Sequence, residues 1–194
     1  MNEYFDKNKV TISKINKQLA NEIVEKFHYS HSKTKNKISF GIYYNTKSKF
    51  FGESKELIGV IIYAHPIGRL VVKSISEILK DNNVLELVRL FIHDGYGKNI
   101  ESYFIAQTIK YIKKHHKEVQ VLISYADPEQ GHLGIIYQAG NWRYQGTKSR
   151  IVDAYWYLFP NNTEWLHPRT VVNMYKSTTP SELLKRFKSF RIKE

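Results

Sequence analysis

The segment VLELVRLFIHDGYGKNIESYFIAQTIKYIKK, residues 84–114, together with EVQVLISYA, residues 118–126, decides the fold. VLELVRLFI predicts a strand, HDGYGKN supplies turn residues, and the next fifteen residues predict a helix with inward positions Phe104, Ile105, Ile109 and Ile112. Strand, turn, helix and strand make a βαβ unit, whose crossover leaves its two strands parallel. We therefore predict an α/β (α+β) fold with a mixed central sheet flanked by helices.

The flanking residues predict further elements. Apolar residues spaced by three and four over residues 12–27 predict a first helix with the stripe Ile12, Ile15, Leu19, Ile23, Val24 and Phe27. ISFGIYYN and ELIGVIIYAHP predict the two strands of a β-hairpin, and Pro66 ends the second strand. WRYQG and AYWYLF predict late strands, and the basic segment at about residues 176–194 predicts a C-terminal helix or tail. We expect residues 1–194 to form a single domain.

Composition limits the class of protein. A chain with 42% hydrophobic and 25% charged residues is typical of a globular domain, and no apolar run approaches the length of a membrane span. The N-terminus lacks the apolar segment of a signal peptide, so we expect a soluble intracellular protein. The absence of cysteine excludes disulfides, thiolate catalysis and cysteine-based zinc sites.

The net charge of +12, from 30 Lys+Arg against 18 Asp+Glu, favours a polyanionic partner such as nucleic acid. The alternative is a general bias towards lysine that serves solubility. The C-terminal segment contributes Lys185, Arg186, Lys188, Arg191 and Lys193.

The turn HDGYGKNIES, residues 93–102, lies where a strand meets a helix, so its backbone N–H groups can receive a phosphate. The candidate cofactor-binding residues there are Gly95, Gly97, Lys98, Asn99 and Ser102. The segment is neither a complete G-x-G-x-x-G nor a Walker A motif, and a purely structural turn is the alternative.

Two charged residues stand at the predicted strands. Arg89 lies inside an apolar strand, where alternation places it on one face with Leu85, Leu87 and Phe91. It either contacts an anion or transition state, or is a partly exposed strand arginine. Asp127 follows the next strand at a sheet edge where α/β folds bind ligands. It can accept a proton from an amine or hold a metal, or simply form an Asp-Pro turn.

Aromatic and histidine side chains complete the candidates. Tyr137, Trp142 and Tyr144 can stack on an extruded base, although we expect at least one of Trp142, Tyr155 and Trp156 to be plain packing. His28, Tyr29 and His31 end the first predicted helix. Imidazole and phenolate can ligate iron, and imidazole can act as a base; an exposed helix end is the alternative.

Four segments carry a family resemblance: HYS at 28–30, ELVRLFIHD at 86–94, KNIES at 98–102 and, above all, YADPEQGHLGIIYQAGNWRYQG at 125–146. Together they resemble the Mom family of phage DNA-modification proteins, which are similar in fold to GCN5-related N-acetyltransferases. The segments stand in the family's order over roughly residues 10–160, and the last thirty or so residues are not diagnostic.

The resemblance implies an enzyme of the bacterial host's cytoplasm that uses acetyl-coenzyme A, adds a carbamoylmethyl group to adenine N6 in double-stranded DNA, and so protects phage DNA from restriction. It also implies iron, with His28 and Tyr29 as ligands, and a pyrophosphate site at KNIES with a degenerate glycine signature. The implied catalytic residues are Tyr29, Arg89, Ser124, Asp127 and Tyr137. The DNA-binding candidates are Trp142, Tyr144, Lys185, Arg186 and Lys188.

Three alternatives remain. A conventional N-acetyltransferase acting on a protein or small amine requires no DNA. An adenine methyltransferase is suggested only by YADP, which lacks the second proline and the aromatic of the Asp-Pro-Pro-Tyr motif. A basic DNA-binding module without catalysis is the third.

Overall fold

The computed structural model describes residues 4–48, 52–68, 70–127, 131–146, 156–166 and 168–193. The chain forms two compact units, Met1–Arg143 and Tyr144–Glu194; the expectation of a single domain stays a prediction. The first contains β1 Val10–Lys14, α1 Lys17–Phe27, β2 Ile38–Ser48, β3 Gly52–Ala64, α2 Val71–Ile75, β4 Val84–Ile92, α3 Ile100–His115, β5 Val121–Ser124 and α4 Ile135–Gln138. Within the described ranges, no helix is long and apolar enough to cross a membrane.

A five-stranded sheet, in the order β1-β2-β3-β4-β5, organises the first unit. Its first three pairings are antiparallel, and β4 pairs with β5 in parallel. The long β2–β3 pairing confirms the predicted hairpin, and the parallel β4–β5 pairing with α3 between them confirms the βαβ unit. The predicted mixed sheet with helices is therefore confirmed.

Both faces of the sheet are covered. On one face, the larger cluster joins strand residues to Ile100, Phe104, Ile105 and Ile112 of α3, with Ile109 packed against it as predicted. On the other face, Ala20 and Val24 of α1 pack with Val60 and Ile62 of β3. Strands β3 and β4 therefore lie in the middle of a three-layered arrangement of helix, sheet and helix.

The predicted helix over residues 12–27 is wrong at its start. Ile12 lies in β1, paired with Ile42 of β2, and α1 begins only at Lys17. The side chain of Asn16 accepts a hydrogen bond from the backbone N–H of Gln18 at 2.7 Å, which fixes this N-cap. The apolar residues of the short strand β1 and of α1 happen to be spaced by three and four residues, as in one continuous helix, which explains the error.

Alternation along β4 is broken by a β-bulge at Val88. Arg89 pairs with Ile62 and Leu87 with Tyr63, so Val88 has no opposite residue on β3. As a result Phe91 packs with α1, whereas Leu87 packs in the core of α3. The prediction that Leu87, Arg89 and Phe91 share one face is therefore wrong, because the bulge inserts one residue into the alternation.

The second unit is built around two short strands, β6 Trp156–Leu158 and β7 Arg191–Lys193, which pair antiparallel. Helices α5 Pro168–Tyr175 and α6 Pro180–Leu184 join them. Its core consists of Tyr157, Phe159, Val171 and Leu183. WRYQG forms no strand, which corrects that prediction, and Tyr155 lies outside the described residues. The C-terminal segment, predicted to be a helix or tail, contains α6 and β7.

Gly59 is where β3 can approach β4 closely. An ideal Cβ at Gly59 would lie 2.5 Å from the carbonyl oxygen of Phe91 and 2.9 Å from the Cα atom of Ile92, both in the backbone. At Gly41 the closest atoms belong instead to the side chains of Leu57 and Ile15, which can move. We expect Gly59→Ala to lower the free energy of unfolding by about 3 kcal/mol and Gly41→Ala by about 1 kcal/mol, measured by urea denaturation. Equal losses would contradict the close backbone approach.

Candidate active site

Three segments of the first unit meet at one end of the sheet. They are the residues after α1, the bulge of β4, and the residues after β5. Tyr29 and Asp127 are hydrogen-bonded through their side chains, and Arg89 acts electrostatically on both His28 and Tyr29. The structure therefore brings together four residues that sequence reasoning selected separately.

His28 is a buried, uncharged imidazole. Its Nδ1 atom accepts a hydrogen bond from the backbone N–H of Ser30 at 3.1 Å, which places the proton of the neutral ring on Nε2. Burial, with further contributions from the charges of Arg89, His132 and His31, lowers the pKa of His28 to about 4. At neutral pH the ring is therefore an uncharged neighbour of the Arg89 guanidinium.

Tyr29 is a protonated phenol that donates to Asp127. Burial, followed by the negative charge of Asp127, raises the pKa of the Tyr29 phenol. Its ring lies 4.2 Å from that of His28 between centroids, and 5.4 Å from that of His132 in an edge-to-face contact. About half of Tyr29 remains exposed, so the carboxylate and the phenol border an accessible surface.

Arg89 is a cation with unused hydrogen-bonding capacity. One terminal nitrogen donates to the carbonyl of Val88 at 2.7 Å, and the other lies 3.4 Å from the hydroxyl of Ser32. Among the described residues, its Nε atom is buried without an acceptor. A buried N–H group without an acceptor is costly. Each terminal nitrogen carries a second N–H group, which suits the guanidinium to receive an oxygen from a ligand.

A second polar chain links Ser124 to Tyr137. The Ser124 hydroxyl lies 3.0 Å from the carbonyl oxygen of Leu87 and 2.7 Å from the Tyr137 hydroxyl. A serine hydroxyl has only one proton to donate, and the carbonyl oxygen of Leu87 can only accept. Both contacts are therefore hydrogen bonds when Ser124 donates to Leu87 and the Tyr137 hydroxyl donates to Ser124. Burial raises the pKa of Tyr137. Trp142 packs on the Tyr137 ring with centroids 5.2 Å apart and is partly buried against the core.

Strand β4 continues beyond its partner β5. The last parallel pair is Leu87 with Ser124, so Arg89–Ile92 pair with β3 alone among the described strands. The carbonyl of Phe91 faces Gly59 on β3. Because neighbouring residues of a strand point their polar groups to opposite sides, those of Leu90 and Ile92 face away from β3. Within the part of the chain that the structure describes, the edge of β4 beside Arg89 is therefore open.

The predicted phosphate turn lies between β4 and α3. Gly95, Gly97 and Asn99 all have positive φ, at 96°, 102° and 66°. The Ser102 hydroxyl donates to the carbonyl of Asn99 at 3.0 Å, and the carbonyl of Lys98 accepts from the backbone N–H of Phe5 at 3.4 Å. Part of the polar capacity of this turn therefore serves its own conformation, and its role in cofactor binding stays a prediction.

The described residues do not by themselves form a closed metal site. Among them, no three His, Cys, Asp or Glu side chains group closely enough to hold an ion. Tyr29 is held as a phenol by Asp127, whereas the phenolate is the form that ligates iron. His28 and Tyr29 thus supply at most part of a ligand set, and the iron prediction is untested.

The remaining DNA-binding candidates belong to the second unit. Tyr144 is 80% exposed, and the side chains of Lys185, Arg186 and Lys188 are exposed as well. Sequence reasoning missed His132 and Ser32, which contact Tyr29 and Arg89. Neither residue stands at a strand or helix end, although His132 lies between two glycines in QGHLG, a signal of a tight functional loop.

Fold and site together define an α/β protein with a polar candidate site at the carboxyl end of the parallel pair β4–β5. The Mom protein family matches residues 9–193, so the chain belongs to the Mom family. The match confirms the resemblance and extends it through the C-terminal residues. Methylcarbamoylase mom of Escherichia phage Mu is 27% identical over an alignment 147 residues long, which covers 72% of this chain and 56% of that protein. The matched region thus spans little more than half of that relative.

The depressed pKa of His28 predicts a loss of stability in acid. In the unfolded chain the His28 imidazole becomes protonated as the pH falls below about 6.5, whereas in the folded chain it stays neutral until the pH reaches about 4. The folded state is therefore destabilised relative to the unfolded state as the pH falls from 6.5 to 4. We expect a contribution of about 2 kcal/mol to the stability lost between pH 7 and pH 5. His28→Asn, which offers an acceptor near Nδ1, should lack this contribution in urea unfolding with EDTA present. An unchanged pH dependence would contradict the assignment.

Proposed function

We propose that the protein modifies adenine at N6 in double-stranded DNA, leaving a carbamoylmethyl group, with acetyl-coenzyme A as the source of the two-carbon unit. The phage Mu relative is named for methylcarbamoylation, and this chain would have the same kind of activity. The observation that carries the proposal is the presence, in one site, of a hydrogen-bonded carboxylate, Asp127, and of the Arg89 guanidinium, which acts electrostatically on the Tyr29 phenol that donates to Asp127. The carboxylate can accept a hydrogen bond from an amine, and the guanidinium can donate one to an oxygen that gains negative charge.

The amine of adenine is a weak nucleophile because its lone pair is delocalised into the ring. A carboxylate within hydrogen-bonding reach of N6 orients that amine and takes its proton as the new bond forms. Asp127 fits this role because Tyr29 donates to it and holds it in place, and because the carboxylate is only partly buried, beside a half-exposed phenol. We assign Asp127 as the base and Tyr29 as the residue that positions it.

The Arg89 guanidinium would stabilise the oxygen of the acyl donor. The 2.7 Å hydrogen bond to the carbonyl of Val88 fixes the guanidinium before the reaction, so little reorganisation is required. The neighbouring His28 is uncharged and adds no competing positive charge. Ser124 and Tyr137 would form the adjacent wall of the site.

The open edge of β4 offers a place for the acyl donor. Coenzyme A has an extended arm with two amides, and an unpaired strand edge presents N–H and C=O groups that suit such a chain. The edge at Leu90 and Ile92 leads from Arg89 towards the turn at Gly95 and Gly97, where the helix α3 begins. This arrangement supports the acetyltransferase-like fold and the cofactor site implied by KNIES. Bound acetyl-coenzyme A would supply the two-carbon unit. Its methyl carbon would form the bond to N6, with one hydrogen lost from each atom to a two-electron oxidant, and an amine nitrogen would displace the coenzyme A thiol from the carbonyl to give the amide.

The target base must leave the duplex to reach Asp127, because N6 is paired and stacked inside it. Tyr29, half exposed, and Tyr137 with Trp142 offer aromatic surfaces for the extruded base. The net charge of +12, including exposed Lys185, Arg186 and Lys188, would supply phosphate contacts and a steep dependence of affinity on salt.

The direct test is to express the protein in a bacterium, digest the DNA to nucleosides and analyse deoxyadenosine by mass spectrometry. We expect a species with the added mass of carbamoylmethyl. Asp127→Asn should lower its yield by about 100-fold or more, because the base is lost. Glu77→Gln, which changes an exposed carboxylate, should leave the yield unchanged.

The other outcomes of this experiment separate the alternatives. An acetyl increment on deoxyadenosine would assign simple acyl transfer, and unmodified DNA from a well-folded, iron-replete culture would favour an acetyltransferase for another amine. Full activity of Asp127→Asn would remove Asp127 from the chemistry. A loss of product in an iron-depleted culture, restored by added iron, would support the implied metal.

A second prediction concerns Arg89. Arg89→Lys retains the charge but loses the planar fork, so we expect the single-turnover rate at saturating acetyl-coenzyme A to fall by about 100-fold. Ser32→Ala removes only the 3.4 Å contact and should change the rate by less than about threefold. Equal rates for the two variants would contradict the proposed role of the guanidinium.

A further inference from the structure

Two large aliphatic side chains are exposed in the segment Gly131–Ile135. Leu133 is 72% exposed and Ile135 is 67% exposed. Single exposed apolar residues are common on protein surfaces and by themselves indicate nothing. These two stand directly beside the candidate active site, on a segment whose conformation is fixed by several contacts.

The backbone holds Leu133 in an outward position. Gly131 and Gly134, on either side of it, have φ values of +72° and +73°, which side-chain-bearing residues rarely adopt. The backbone N–H of His132 donates to the carbonyl of Asp127 at 3.0 Å. The Gln138 side chain donates to the carbonyl of Leu133 at 3.4 Å. The segment is therefore anchored on both sides of the exposed leucine.

The same segment is tied to the residues of the site. The ring of His132 contacts Tyr29, which donates to Asp127. An ideal Cβ at Gly134 would lie 3.7 Å from both the Ala126 side chain and the Tyr137 ring. Leu133 directly follows His132 in the chain, so its Cα atom is one peptide unit away from a residue that contacts Tyr29.

Positive charge accompanies this apolar tip. Tyr29 and Ser32 belong to the stretch between α1 and β2, which contacts the site and carries two exposed lysines, Lys35 and Lys33, the latter in a surface ion pair with Glu25 at 3.4 Å. The chain as a whole has a net charge of +12. An apolar projection on a basic protein suits a nucleic-acid duplex, which offers stacked apolar base faces between two rows of phosphates.

We propose that Leu133 is a wedge that enters the DNA duplex and fills the space left by the extruded adenine, with Ile135 supporting it. The inference rests on the proposed function and adds the means by which the base leaves the stack. Proteins that distort duplexes insert leucine, isoleucine or similar apolar side chains between bases. Extrusion costs a few kcal/mol in unstacking and unpairing, and a wedge offsets that cost by occupying the gap.

The experiment compares two duplexes that carry the same target adenine, taken from a site modified in expressing cells. In one the adenine is opposite thymine, and in the other it is opposite an abasic position, where extrusion requires no unpairing. We expect Leu133→Ala to modify the paired duplex at least about tenfold more slowly than the natural protein, and the abasic duplex less than about threefold more slowly. Leu133→Phe, which retains an apolar wedge, should remain within about threefold on both duplexes.

A matched control variant and a fluorescence measurement of base extrusion complete the rate measurements. Ile78→Ala removes an equally exposed aliphatic side chain, 88% exposed, from the segment before β4 at the other end of that strand, and should change neither rate. With 2-aminopurine in place of the target adenine, the natural protein should increase fluorescence. Leu133→Ala should reduce that increase while its DNA affinity stays within about threefold, because phosphate contacts are retained.

Each other outcome overturns the wedge. Equal losses for Leu133→Ala on both duplexes would assign Leu133 to the chemistry or the local fold, and unchanged rates with unchanged fluorescence would leave it without a role. These results differ from failure of the proposed function itself, in which the natural protein would modify neither duplex.

Discussion

The end of the pairing between β4 and β5 is the constraint on which the rest of the site depends. The parallel pair stops at Leu87 and Ser124, and the bulge at Val88 follows immediately on β4. The bulge sends Phe91 to the face of α1 and leaves Arg89 beside the segment that follows that helix. The departure of β5 opens the strand edge and places Asp127 beyond the sheet. A regular β4 fully paired on both sides would have neither feature.

The electrostatics of the site follow from this placement. Arg89 is the central cation, and burial together with this charge keeps His28 neutral. Asp127 supplies the negative charge, and its contact with Tyr29 keeps that phenol protonated. Four neighbouring side chains are thus held in distinct states, with one carboxylate acceptor, one phenolic donor, one neutral imidazole and one fixed cation. Such separation of states among neighbouring groups is common where a site performs proton transfer.

Particular elements show how far sequence reasoning reached. Periodicity predicted α3 with its buried face, the β2–β3 hairpin and the parallel βαβ unit, because each has long, regular apolar spacing. It failed at residues 10–16, where a five-residue strand precedes a capped helix, and at Val88, where one inserted residue reverses the facing of those that follow. Neither a short strand nor a bulge alters composition or spacing enough to be seen in one sequence.

The sequence by itself determined the family and most of the local elements. It also selected five candidate site residues, because they lie in recognisable segments: Tyr29, Arg89, Ser124, Asp127 and Tyr137. Only the tertiary structure decided which of them touch. The hydrogen bond between Tyr29 and Asp127 spans almost a hundred residues of chain, and the contacts of Arg89 with Ser32 and of His132 with Tyr29 have no local signature. Side-chain contacts at such separations arise from the packing of whole strands and helices, which fixes distances that no neighbouring residue encodes.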